Sequence, residues 1–295
     1  FGVKFGGGVQ VAVTVVKVAL ILGIIAIGLV VPASSSPAPA HAGPAAATGG
    51  VMGFFAALVA ALWAYDGWNN LTMVSSEVRR PQRNLPLALI AGTCIVIALY
   101  LATNLAYFRV LSAAEVASTN RVAAVMMGRL LGPAGAAAVS VAAMISIFAA
   151  LNGSILAGAR VPYAMARDGL FFRAIGRVHP RHHTPSTSIL ALSAWSCLLV
   201  LSGRYEQLFT YVIFASWILY GMCAASVLVL RRKRPDLARP YRVAGYPWLP
   251  GLFVFGAFCL IITTLFKSPR ESLLGLTLIL AGIPFYLRKR HRKSV

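Results

Sequence analysis

Acidic residues are scarce in this chain. Asp and Glu together number 7 in 295 residues, and all charged types make up only 12%. A soluble domain is about a quarter charged, so that class is excluded. Cysteine is equally sparse: Cys94, Cys197, Cys223 and Cys259 each sit inside an apolar run, with no C-x-x-C or Cys/His spacing. Such spacing excludes a disulfide framework and a metal site and reads as small buried side chains. The five histidines, His41, His179, His182, His183 and His291, all lie between apolar runs or in the tail. With no H-E-x-x-H, no paired carboxylates and no Ser-His arrangement inside an apolar run, a membrane-embedded enzyme is set aside. No polar motif repeats as a channel filter would. No cofactor motif and no cleavable signal pattern are present.

Apolar residues dominate instead, at 59%, with a mean hydropathy of +0.78. Crossing a bilayer takes about 20 apolar residues. Eight runs qualify as candidate spans: 9–31, 51–74, 86–108, 136–163, 187–202, 207–230, 248–267 and 272–288. The fifth is short, and the fourth is long enough to tilt or bend near Pro162. The chain therefore reads as a single all-α integral membrane domain in a lipid bilayer.

The formal charge of +20 is compatible with nucleic-acid binding only if one face carries it. Here the basic residues fall in short clusters between spans. They concentrate in alternate connections: Arg79, Arg80 and Arg83; Arg167, Arg173, Arg177 and Arg181; Arg231 to Arg234 with Arg239 and Arg242; then the tail from Arg288. The intervening connections carry few. This alternation follows the positive-inside rule. It predicts cytoplasmic N- and C-terminal ends and excludes a nucleic-acid partner. The 32–50 connection, rich in Pro, Ala, Ser and Gly, reads as a flexible outer loop. Residues 119–131 read either as a short helix with Val122, Val125, Met126 and Leu130 on one face, lying on the outer surface, or as a capped loop.

One stretch breaks the apolar rule. "WAYDGWNN", Trp63 to Asn70, puts an acid, a glycine and two amides in the middle of the second span. An ionised Asp at a helix centre costs roughly 2.5–3.5 kcal/mol, and Gly about 1 kcal/mol relative to Ala. Non-helical backbone at that depth is tolerated only where protein buries it or it lines a cavity. Two readings are open: a discontinuous helix whose freed backbone groups bind a polar substrate near the midplane, or a continuous helix with Asp66 paired to a neighbour. On the first, Trp63, Ala64, Tyr65, Asp66, Gly67 and Asn69 are candidate substrate-binding residues. Asn152, with Gly153 and Ser154, adds polar groups inside the fourth span, suited to lining the same cavity.

These residues carry a family resemblance. "FAALVAALWAYDGWNNLTMVSSEVRRPQRNLPLALI" resembles the sixth helix of amino acid permeases in the L-type branch of the amino acid–polyamine–organocation superfamily. "YLATNLAYFRVLS" is similar to the seventh helix, "LNGSILAGARVPYAMARDGLFF" to the eighth, "HPRHHTPSTSI" to the start of the ninth, and "VKFGGGVQVAVTVVKVALIL" to the fifth. The resemblance implies a LeuT-like fold of two inverted five-helix repeats followed by two extra helices. On that mapping the eight spans are helices five to twelve. The chain, which begins with Phe1, is then expected to be a C-terminal fragment without the first four helices, and without the broken first helix that completes the family's substrate site. The implied function is a secondary transporter of the plasma membrane, a sodium-independent exchanger or uniporter moving amino acids by alternating access. The alternative is a truncated, non-transporting membrane protein.

The resemblance also implies roles. Backbone carbonyls around Trp63, Ala64 and Asp66 would hold the substrate's amino group, with Trp63 as an outer gate. Acidic versions of position 66 go with cationic substrates. Ser216 and Trp217 match positions bordering the substrate pocket. Lys4 matches a lysine that takes the place of a sodium ion. Glu77 and Arg160, at the basic-rich ends of the second and fourth spans, have opposite charges and suit a cytoplasmic gate. Some relatives pair with a single-span glycoprotein through a cysteine in the part not represented here.

Overall fold

The computed structural model describes residues 3–32, 50–202 and 205–291 and is all helical there. In chain order the helices are α1 (Val3–Val30), α2 (Gly50–Trp63), α3 (Asn70–Met73), α4 (Pro81–Val110), α5 (Ala113–Ala117), α6 (Val122–Gly158), α7 (Arg160–Arg167), α8 (Ser186–Ser202), α9 (Tyr205–Lys233), α10 (Trp248–Lys267) and α11 (Pro269–His291). Short 3₁₀ turns occupy Ser75–Glu77 and Arg173–Gly176. Most of the 32–50 connection, with His41, lies outside the described residues.

Among the described residues, six helical stretches are long and apolar enough to cross a bilayer: α1, α4, α6 with α7, α9, α10 and α11. α8 is shorter, at 17 residues, and the second expected span is split into α2 and α3. Large side chains such as Leu101, Leu105, Ile147 and Phe148 are more than half exposed. On soluble proteins apolar patches of that kind are small. Here they form the surface that meets lipid.

Two helix groups carry the site. In the first, α1 packs against α4 and α6. Its centre is Ala106, Val110, Leu111, Met126, Met127 and Val139, against which Ile24 and Ile27 of α1 rest. Lipid tails are as apolar as Leu, so membrane helices gain by close contact through small residues. Gly28 does this: a Cβ there would come within 2.9 Å of the Ala106 Cβ and 3.2 Å of the Met126 sulfur. In the second group, α9 packs against α10 and α11, and α2 lies on α10. Gly221 faces Ala257, and Gly275 faces Phe214.

α6, which begins ahead of the fourth expected span, is not one straight rod. Gly132 has φ 70° and ψ −163°, a conformation that a side chain would strain. Pro133 follows and cannot donate to the ladder. Residues 122–131 are therefore a separate helical piece. They form the expected short helix, but its apolar face does not lie open on the outer surface. Met126 and Met127 are buried in the first group, while Val125 is 39% exposed. Near the other end, Pro162 has no N–H to donate to the Gly158 carbonyl, while Ala159 keeps helical dihedrals, φ −63° and ψ −18°. The buried Ser188 hydroxyl of α8 donates to the Ala159 carbonyl at 2.6 Å.

The α4–α6 connection is tied by charge. Ser112 caps α5: its N–H donates to Glu115 Oε2 at 2.8 Å, and its hydroxyl accepts from the Glu115 N–H at 3.3 Å. Arg129 donates to the Val110 carbonyl at 3.0 Å and pairs with Glu115. The Arg129 guanidinium, helped by the Ser112 N–H and hydroxyl, holds the Glu115 carboxyl at about 2, down from its ordinary 4.5. A lowered folded pKa means that the pairing is fully present above pH 4.5 and is lost as pH falls through about 2. Glu115→Gln should therefore lower the melting temperature at neutral pH. The gap to the unsubstituted chain should close on acidification through that window.

Candidate functional site

The "WAYDGWNN" stretch interrupts the second span. α2 ends at Trp63 and α3 begins at Asn70. Between them the chain uses tight i→i−3 bonds: Ala64 N–H to Ala61 at 3.1 Å, Tyr65 N–H to Leu62 at 3.1 Å and Asp66 N–H to Trp63 at 3.0 Å. Gly67 then takes φ 107°, open to glycine at little steric cost. The turn reverses into α3 with an Asn70 N–H to Gly67 bond of 3.1 Å. Of the two readings of this stretch, the geometry is that of the discontinuous helix, and Asp66 has a partner as well.

Two tyrosines from distant helices pin the break. The Tyr100 hydroxyl of α4 donates to the Ala64 carbonyl at 2.6 Å, and its ring lies 4.9 Å from that of Tyr65. The Tyr220 hydroxyl of α9 donates to Asp66 Oδ1 at 3.0 Å. The Tyr220 ring also sits 5.4 Å from Trp68 and 6.0 Å from Trp217. The Asn69 Oδ1 is buried with no partner among the described residues, an acceptor held in reserve. Of the carbonyls expected to meet a substrate amine, those of Trp63 and Ala64 already accept one bond each.

The break separates two cavities. One, of about 520 Å³, is lined by Ala64, Tyr65, Asp66 and Gly67 together with Gln10 and Lys17 of α1, Tyr100 of α4, and Gly153 and Ser154 of α6. That volume lies in the usual range for small-molecule sites, about 300–1,000 Å³. The other, of about 130 Å³, is lined by Trp63, Tyr65, Asp66 and Trp68 against Ser216, Trp217, Tyr220 and Phe253. Tyr65, Asp66 and Trp68 border both. Besides Asp66 of the break, Gln10, Lys17, Thr93, Tyr100 and Ser154 bring polar side chains to the larger cavity from helices that are otherwise apolar.

The remaining expected residues divide. Asn152 does not line either cavity; its Nδ2 donates to Gln10 Oε1 at 2.8 Å, fixing the Gln10 amide on the wall beside Gly153. Glu77 and Arg160 do meet, away from the cavities: Arg160 Nε lies 2.6 Å from Glu77 Oε1, and Nη2 donates to Oε2 at 3.0 Å. The Arg160 side chain is 13% exposed and that of Glu77 45%. Lys4 lies in the first turns of α1, with its side chain outside the described ones.

Gln10, Lys17, Tyr100 and Tyr220 escape the sequence reading of the site. For Gln10 and Lys17 a signal existed. They are polar residues seven positions apart on α1, two helical turns and so one face. Tyr100 and Tyr220 carry no local signal, because a membrane helix tolerates tyrosine almost anywhere along a packed face.

The described residues, all helical with several membrane-length helices and a broken one beside a cavity, are those of a multi-pass membrane protein. Comparison with known families fixes which. The profile of the family described as amino acid permease matches residues 1–286, and the chain belongs to that family. Among curated proteins it is similar to the cystine/glutamate transporter of Homo sapiens, 32% identical over 230 residues, covering 78% of this chain and 45% of that protein. It is 31% identical to the b(0,+)-type amino acid transporter 1 of Homo sapiens, covering 99% and 59%. It is 34% identical to the serine/threonine exchanger SteT of Bacillus subtilis (strain 168), covering 99% and 66%. The chain thus spans about half to two thirds of the length of these relatives. All three are transporters by name, and none is an enzyme.

Proposed function

We propose that this chain forms one side of the substrate site of a secondary transporter that moves amino acids across the plasma membrane by alternating access, as a sodium-independent exchanger or uniporter. The observation that carries this reading is the interruption at 64–69, which puts Asp66 and the loosened backbone on a polar cavity shared with α1, α4 and α6. Family membership and the transporter relatives support the same class. The fold is then the inverted-repeat arrangement of LeuT-like carriers, with α2–α3 and α8 completing eight crossings and the C-terminal end cytoplasmic.

In this mechanism the amino group of the substrate meets the carbonyls of Trp63, Ala64 and Asp66. The carboxylate of Asp66 adds a charge that favours cationic side chains. Tyr65 and Gly67 line the cavity, Asn69 leads the break into α3, Asn152 holds the Gln10 amide on the wall, and Trp63, Ser216 and Trp217 close the second chamber. The Glu77–Arg160 pair joins the segment after α3 to the start of α7 and opens as the two repeats rock. Lys4 is the cation-site lysine by resemblance. Lys17 stands on the cavity wall and is the second candidate. Substituting Gln for each in turn separates them, since sodium dependence changes only for the residue that stands in for the ion.

The names of the relatives differ in substrate, so the choice of amino acid rests on Asp66. The experiment is uptake of labelled Lys, Arg, Leu and Ser into proteoliposomes, with counter-substrate inside or outside. It is run on residues 1–295 and on the whole open reading frame that contains them. Uptake stimulated by internal amino acid supports the exchanger. Uptake by neither protein overturns the transport reading in favour of a non-transporting membrane protein.

A further inference from the structure

The connection between α9 and α10 concentrates positive charge that transport does not use. Arg231, Arg232, Lys233, Arg234, Arg239 and Arg242 meet a single acid, Asp236. That acid faces Arg234, with Nε–Oδ1 at 3.4 Å. Three of the arginines, Arg231, Arg239 and Arg242, line a cavity of about 430 Å³ with Pro235, Leu237 and Ala238.

The three guanidinium groups are not equivalent. Arg239 is filled by backbone: it donates to the carbonyls of Pro235 at 2.9 Å, Leu237 at 2.8 Å, Leu230 at 3.4 Å and Arg234 at 2.5 Å. It thereby closes the C-terminal end of α9, where unpaired carbonyls collect, and folds the connection into a floor. Arg231 lies over the Tyr246 ring, 3.9 Å from its centroid, which fixes its plane. Among the described residues neither Arg231 nor Arg242 donates to any protein acceptor. One fork oriented by Tyr246 and a second lining the same cavity, both with open donors, and the nearby acid paired with Arg234, leave the cavity short of an anion. A planar fork matches phosphate oxygens two at a time.

Depth points to the carrier of that phosphate. α9 ends its apolar course at Lys233, and α10 begins at Trp248, which is 82% exposed, near Tyr241 at 51%. Exposed Trp and Tyr at helix ends mark the headgroup level. Leu230 and Leu237, at 47% and 43% exposed, offer apolar surface beside the cavity for a glycerol or acyl segment. We propose that this cavity binds the phosphate of an anionic phospholipid headgroup, with Arg231 and Arg242 donating to it and Arg239 holding the floor.

The test uses the full chain in nanodiscs of phosphatidylcholine mixed with phosphatidylglycerol, with retained lipid counted by native mass spectrometry. Arg231→Gln with Arg242→Gln should lower phosphatidylglycerol retention about tenfold, as expected for two lost headgroup contacts. Arg232→Gln with Lys233→Gln, an equal change of charge outside the cavity, should leave it unchanged. Equal loss from both pairs would reduce the site to diffuse attraction and overturn it, as would equal retention of the two lipids by the unsubstituted chain. Inorganic phosphate binding in pure phosphatidylcholine discs with the same arginine dependence would assign the cavity to a soluble anion and overturn the lipid. If the double variant loses its melting transition, Arg242→Gln alone carries the comparison.

Discussion

Asn in place of Asp66 should cost cationic amino acids far more than neutral ones. At about 4 Å and an effective dielectric of 20, two unit charges interact by about 4 kcal/mol. Asp66 is exposed in this structure, so water claims a share, and about 1.4–2.7 kcal/mol is the reasonable remainder. That is roughly a ten- to hundredfold fall in kcat/KM for Lys and Arg. Asn keeps an acceptor for the Tyr220 hydroxyl, so the pin from α9 survives and only charge is lost. Tyr220→Phe does the converse, removing the tether while keeping the carboxylate. It should lower transport of both classes together, because a loosened break misplaces every substrate. Uptake of Lys, Arg and Leu by the three proteins decides between them. Parallel losses in Asp66→Asn would mean that the carboxylate serves the fold rather than selectivity.

Charge reversal at Arg160 should be the second large effect. An exposed ion pair is worth about 0–1 kcal/mol. This one is bidentate, and the Arg160 side chain is mostly sheltered while Glu77 is nearly half open. Its rupture therefore lies above that range but below the 3–5 kcal/mol of a fully buried pair. Arg160→Glu sets two carboxylates face to face and should reduce exchange at least about tenfold, since each 1.4 kcal/mol is a factor of ten. Reversing both residues should restore much of it. A gate also predicts a change of access. With the four native cysteines replaced, Ser154→Cys on the cavity wall should react faster with an impermeant maleimide when Arg160 is Ala. Unchanged labelling with reduced stability would make the pair a staple between α7 and the segment after α3.

Much of this molecule was legible before any coordinates. Long apolar runs separated by basic clusters gave helices, because a bilayer leaves backbone groups no partner but their own helix. α10 spans the same residues that hydropathy marks, 248–267. The break at 64–69 was legible too, since Asp, Gly and two Asn in one apolar run each oppose a helix there for a reason local to the residue. Gly132-Pro133 carries a signal of the same kind, in the connection just ahead of the fourth run.

What could not be read was pairing across the fold. The sequence names Asp66 but not Tyr220, which is 154 positions away and meets it at 3.0 Å. It names Asn152 but not its partner Gln10, and it does not place Lys17 on the cavity wall. Glu77 and Arg160 were paired by sign and by end of helix alone, and only the fold set their bidentate geometry. By itself the sequence determined which segments are long apolar helices and where one of them fails, because hydropathy and backbone propensity act over a few residues. The tertiary structure alone decided which side chains share a cavity, because that depends on how helices rotate and approach, and those contacts join residues far apart in the chain.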